Sequence, residues 1–60
     1  MKIEFKDGSS ELIVRVYKEC GAYELSVYVQ EGFHDPVSVG FTLSKKELED
    51  LIKDLQKLLE

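Results

Sequence analysis

The sequence predicts an α+β protein, a four-stranded antiparallel sheet in the order β-β-β-β-α with one C-terminal helix packed on one face. Two observations carry this prediction. Four short stretches alternate apolar and polar side chains and are separated by turn residues, which is typical of half-buried strands. The last of them, Val37 to Leu43, leads directly into a segment with a single apolar face. Because such a helix must rest that face on another element, we expect it to lie on the sheet.

The length of the chain limits what this fold can achieve alone. Sixty residues make one domain, residues 1–60, and a domain of this size buries only about 60% of the surface that its unfolded chain exposes. One cysteine and one histidine provide neither an intrachain disulfide nor a structural zinc site. Oligomerisation is the remaining source of stability, so we expect a homodimer.

The first strand is short and charged. Ile3 and Phe5 alternate with charged residues, and Asp7 to Ser10 is a turn cluster. A four-residue loop there places Phe5 opposite Leu12 on the second strand.

The next two strands form a hairpin. Leu12 to Glu19 and Tyr23 to Gln30 are rich in β-branched and aromatic residues, and Cys20-Gly21 supplies a two-residue turn. A two-residue or a four-residue loop predicts the same three apolar cross-strand pairs on one face: Val16–Leu25, Val14–Val27 and Leu12–Val29.

The helix has a clear start. Ser44 is a good N-cap, Glu47 completes a capping box, and Leu43 and Leu48 are placed for a hydrophobic staple. Its apolar stripe consists of Leu48, Leu51, Ile52, Leu55, Leu58 and Leu59. We expect this stripe to seal the sheet and form a core with Ile3, Phe5, Leu12, Val14, Val16, Leu25, Val27, Val29, Val39 and Phe41.

The opposite side of the sheet is the candidate contact surface, called the second face below. Strand parity assigns to it Lys2, Glu4, Lys6, Ile13, Arg15, Tyr17, Glu24, Ser26, Tyr28, Gln30, Ser38, Gly40 and Thr42. Among these, Ile13, Arg15, Tyr17 and Tyr28 are predicted to cluster, and tyrosine and arginine dominate binding hot spots. Tyrosine and isoleucine also suit exposed strands without any binding role. A contact here serves either a second copy of the chain or another partner.

The irregular segment from Glu31 to Pro36 contains the remaining candidates. Phe33 is a fifth candidate interface residue, although we expect its ring to fold back over the edge of the core. His34-Asp35 is a His–carboxylate pair without a nucleophile or oxyanion arrangement nearby. The sequence therefore predicts no enzyme activity, no cofactor and no metal site.

Charge and hydropathy bear on the choice of partner. Eight basic residues against twelve acidic ones give a net charge of −4, which disfavours non-specific nucleic-acid binding. The chain has neither an apolar signal-like segment at Met1 nor a run long enough to span a bilayer. We therefore expect a cytoplasmic protein that does not bind membranes.

The segment Pro36-Val37-Ser38-Val39-Gly40-Phe41-Thr42-Leu43-Ser44 resembles the strand-to-helix junction of the transcriptional coactivator PC4-like family. The hairpin from Ile13 to Val29 is similar to that of the family in length and order. The resemblance implies a dimer with a four-stranded sheet and a helix, which binds single-stranded DNA through basic and aromatic sheet residues. By strand position, these residues would be Arg15, Lys18, Tyr17 and Tyr28.

The sequence as a whole favours a small non-enzymatic module that binds a protein partner as a homodimer. Its size and acidity are similar to those of phage-type or mobile-element accessory proteins, including inhibitors. An acidic helix face that competes for a basic groove is a physical route to inhibition. Single-stranded DNA binding through the second face is the alternative, and a structural piece of a larger assembly is a third reading.

Overall fold

The computed structural model describes every residue from Met1 to Glu60 and contains five elements. The four strands form one antiparallel sheet in sequence order, and one helix follows. The predicted α+β class and its order of elements are confirmed. The elements are β1 (Lys2–Asp7), β2 (Ser10–Glu19), β3 (Ala22–Gln30), β4 (Val37–Leu43) and α1 (Lys45–Lys57).

The β2–β3 hairpin turns on two residues, the shorter of the two predicted loop lengths. Cys20 and Gly21 both have positive φ, 48° and 79°, which is the pattern of a type I′ turn. Such a turn matches the right-handed twist of the strands that it joins. All three predicted apolar pairs, Val16–Leu25, Val14–Val27 and Leu12–Val29, are confirmed.

The β1–β2 turn is tighter than the predicted four-residue loop. Asp7 and Ser10 pair with each other inside the strands, so only Gly8 and Ser9 form the loop. Gly8 alone has positive φ, 61°, which is typical of a type II′ turn. Because both loop lengths are even, the face assignment is unchanged, and Phe5 lies opposite Leu12 as expected.

The junction between β4 and α1 is a single capping residue. The Ser44 Oγ accepts a hydrogen bond from the Glu47 backbone N–H at 3.1 Å, and the Glu47 Oε1 accepts one from the Ser44 N–H at 2.9 Å. This reciprocal pair is the predicted capping box. It fixes the residue at which the helix begins.

The helix does not seal the sheet, and this part of the prediction is wrong. It contacts β3 and β4 but neither β1 nor β2, and no residue of the chain is fully buried. Phe41 on β4 remains 68% exposed and Leu55 on the helix 53%. The expected core is thus an open apolar surface.

The overall dimensions agree with this open arrangement. The molecule measures 37 × 32 × 15 Å, and its Cα radius of gyration is 13.4 Å. A compact domain of sixty residues would have a radius of gyration of about 10 Å. The chain has regular secondary structure but is flatter and wider than a self-contained domain.

The type I′ turn generates a test of hairpin stability. Cys20→Asn should raise the free energy of unfolding by about 0.5–1 kcal/mol, because asparagine tolerates left-handed backbone. Cys20→Val should lower it, since a β-branched side chain is strained there. Urea denaturation at one fixed protein concentration measures both changes. Equal midpoints for the three proteins would contradict the left-handed conformation of Cys20.

The capping box predicts a pH dependence. Hydrogen bonds from the backbone and side chain of Ser44 lower the pKa of Glu47. The stabilisation by the charged carboxylate is fully present above the unfolded pKa of glutamate, about 4.3, and is lost as the pH falls through the lower folded pKa. Glu47→Gln keeps an oxygen acceptor but cannot titrate.

The difference in Tm between wild type and Glu47→Gln should therefore shrink between about pH 6 and about pH 3. Thermal denaturation followed by circular dichroism measures it. A difference that stays constant over this range would show that the carboxylate charge contributes nothing at the cap.

Candidate functional site

The β2–β3 register places four of the five candidate residues on the second face. Ile13 pairs with Tyr28, and Arg15 and Tyr17 follow at the next two same-face positions of β2. Successive same-face positions along a strand are about 7 Å apart, so these side chains are close neighbours. The structure thus brings the predicted cluster together in the middle of the sheet.

The four side chains of this cluster are buried to different degrees. Ile13, Arg15 and Tyr28 are half-buried by their neighbours, whereas Tyr17 is 51% exposed. The Tyr28 hydroxyl donates a hydrogen bond to the Gln30 Oε1 at 3.1 Å. The Tyr28 ring is thereby oriented before any partner arrives, which lowers the entropic cost of a contact.

The charges beside the cluster are mostly paired. The Lys2 Nζ lies 2.9 Å from the Glu4 Oε1, and the Lys6 Nζ lies 3.8 Å from the Glu11 Oε2. The hydrogen bond and the charge of Lys2 hold the pKa of Glu4 below its ordinary value. Arg15, in contrast, lies within 4.0 Å of no carboxylate oxygen. Its guanidinium is the one unpaired cation of the second face.

Gly40 leaves a notch in the second face, two strands away from Arg15. Across the sheet, Arg15 pairs with Ser26, and Ser26 pairs with Gly40 on β4. Gly40 has no side chain, and a Cβ built there would lie 3.9 Å from the Glu24 Oε1. The notch was not predicted, because the β3–β4 register could not be read from the loop that joins these strands.

Phe33, the fifth candidate, lies apart from the cluster. It is in the loop between β3 and β4 and is fully exposed, with a relative exposure of 102%. The expectation that its ring folds back over the core is wrong, since no closed core exists for it to cover. The loop is held instead by backbone donors, from Gly32 to the Ser10 Oγ at 3.3 Å and from His34 to the Glu31 carbonyl at 3.0 Å.

Outside the second face, the structure contains few groups that could bind a metal or react. No three His, Cys, Asp or Glu side chains come together as metal ligands, and Cys20 is an exposed free thiol. A depression of about 410 Å³ beside the β1–β2 turn has Phe5, Leu12 and Val29 among its lining residues, all from the open apolar surface. The chain contains no helix with the length and apolar character needed to cross a membrane.

The acidic helix face is partly neutralised by its own lysines. Asp50 lies 3.3 Å from the Lys46 Nζ, and Asp54 lies 3.9 Å from the Lys57 Nζ. Glu47 is engaged in the capping box. Of the acids in α1, Glu49 alone remains without such a partner.

Comparisons with protein-family models, with curated proteins and with solved structures find no match for this chain. The resemblance to the coactivator PC4-like family at the β4–α1 junction therefore stays a prediction.

Proposed function

We propose that this protein is a non-enzymatic interaction module that binds a protein partner through its second face and works as a homodimer. The observation that carries the proposal is the unpaired, half-buried Arg15 guanidinium at the centre of the tyrosine and isoleucine cluster. A guanidinium presents five donors in a rigid fork, which matches a carboxylate in a bidentate arrangement.

The surroundings of Arg15 define the chemistry of this partner. Tyr17 and Tyr28 offer large contact areas that lose little conformational entropy on binding. The notch at Gly40 lies two strands away from Arg15 and beside the Glu24 carboxylate, so it takes no part in this contact. The partner therefore presents an aspartate or glutamate to Arg15, surrounded by apolar side chains that cover Ile13 and the two rings.

A comparative pull-down tests this proposal. Wild type and three variants serve as bait in a lysate of the source cell. Arg15→Gln and Tyr17→Ala should lose a protein that wild type retains, because hot-spot truncation costs about 2 kcal/mol or more, roughly thirtyfold in affinity. Lys18→Ala is the matched control, an exposed residue beside this pair in sequence but on the other side of the sheet.

The folding of the variants must be checked in parallel. Arg15→Gln should change the free energy of unfolding by no more than about 0.5 kcal/mol, because Arg15 has no ion-pair partner to lose. Equal recovery of every protein by all four baits would exclude the second face as the binding surface.

Single-stranded DNA is the second candidate ligand. One observation favours it: an unpaired arginine lies between two tyrosines, and arginine and aromatic rings can hold a phosphate and stack bases. Because Lys2 and Lys6 are already paired with carboxylates, the face has a single free cation and no basic groove. We therefore rank this candidate below the protein partner.

Titration with a fluorescent oligonucleotide separates the two candidates. A DNA-binding face should give an affinity that falls steeply with salt and is lost in the double variant Arg15→Gln/Tyr28→Ala. The absence of binding at low salt would remove this candidate and leave the protein partner. The inhibitor role stays a prediction from the sequence.

A further inference from the structure

We infer that a second copy of this chain covers the open apolar surface, with α1 of each copy lying on the sheet of the other. The inference rests on the homodimer of the proposed function and specifies its interface. It does not depend on what the second face binds. The apolar surface comprises the apolar-face residues of the sheet together with the stripe of α1.

The exposed large apolar side chains are concentrated on this surface. Of thirteen such residues, only Tyr17 on the second face and Phe33 in the loop lie elsewhere. The other eleven are Met1, Ile3, Phe5, Val37, Val39, Phe41, Leu51, Ile52, Leu55, Leu58 and Leu59. Apolar exposure of this extent is not left in water by stable monomers.

The area of the surface fits a dimer. The chain exposes 5119 Å², whereas a folded monomer of 6.9 kDa exposes about 4,000 Å². The excess of about 1,100 Å² exceeds the roughly 800 Å² that each partner buries in a standard interface. Two copies that bury this excess lose roughly 2,200 Å² together, which lies in the range of obligate homodimers.

The helix of the same chain is not placed to cover this surface. The capping box at Ser44 fixes its start directly after β4, and its contacts stop at β3. Ile3 and Phe5 on β1 lie at the far edge of the sheet. The helix of the same chain therefore leaves both side chains uncovered.

A second copy of the chain covers both the open part of the sheet and the exposed stripe of the helix. Each chain has two strands, β1 and β2, that its own helix does not cover, and a helix stripe that is largely exposed from Leu51 onward. A twofold axis places the stripe of one copy on the sheet of the other, twice over, and the contact closes on itself. An unrelated partner would need one apolar element to cover the sheet and a second one to cover the stripe of α1.

The interface predicts coupling between folding and association. Light scattering should give twice the 6.9 kDa chain mass, and the Tm should rise with protein concentration, since no closed core forms in the single chain. Two neighbouring positions on β4 supply matched variants. Phe41→Lys places a charge on the apolar surface, and Thr42→Lys places one on the opposite face.

Phe41→Lys should raise the dissociation constant of the dimer at least about thirtyfold, whereas Thr42→Lys should leave it unchanged. Leu55→Lys and Gln56→Lys form the same kind of pair on the helix. In a monomer, Phe41 and Leu55 are more than half exposed, so their replacement by lysine would have little effect.

Intermolecular NOEs remain informative if a lysine variant fails to fold. In a mixed dimer of labelled and unlabelled wild type, methyl groups of α1 should show contacts with the aromatic ring of Phe5 in the other copy. A folded wild-type monomer at about 100 µM would overturn this inference and the homodimer, but not partner binding by Arg15. A dimer that survives Phe41→Lys and Leu55→Lys would overturn this interface alone.

Discussion

The capping box at Ser44 is the interaction on which the rest of the architecture depends. One residue joins β4 to α1, and two reciprocal hydrogen bonds satisfy backbone groups that would otherwise lack partners at the helix start. The bonds are individually weak, since each net hydrogen bond contributes about 1 kcal/mol. Their main effect is geometric, because they fix the residue at which the helix begins. The helix begins directly after β4 and contacts only β3 and β4, so the far side of the sheet is left uncovered.

Strand parity then divides the remaining side chains between two surfaces with different chemistry. The β2–β3 hairpin, with its even two-residue turn, puts Val14 and Val16 on one side and Ile13, Arg15 and Tyr17 on the other. A slip of one residue would exchange these sets. The turn at Cys20-Gly21 therefore fixes, through its length, which residues are available for a partner.

Local features of this fold were predictable from the sequence, whereas the packing was not. Turn residues, alternation and caps act over a few residues, so the β4 bounds, the hairpin pairs and the capping box were all expected. Two errors were of longer range. The apolar stripe of α1 indicates that it packs on the sheet but not how much of the sheet it covers, and the helix contacts only β3 and β4. The same error misplaced Phe33, whose expected position required a core that a single chain does not build.

The candidate site was predictable to the same extent. Parity placed Ile13, Arg15, Tyr17 and Tyr28 together, because it depends only on the hairpin. The unpaired state of Arg15 was not predictable, since it depends on which carboxylates the neighbouring lysines occupy: Lys2 is paired with Glu4. Which charged side chains pair depends on how far each of them reaches in the folded chain. The spacing of residues in the sequence does not specify this.

The two surfaces depend on each other in the proposed assembly. If the apolar surfaces of two copies cover one another, each sheet turns its second face outward, and the dimer presents two Arg15 clusters on opposite sides. Two clusters on opposite sides of the dimer cannot both contact the same small epitope. A repetitive or itself dimeric partner that reaches both gains avidity from effective concentration, whereas a monomeric partner binds each side independently. The position of the helix thereby determines not only what the chain buries but also the number and direction of the binding faces it displays.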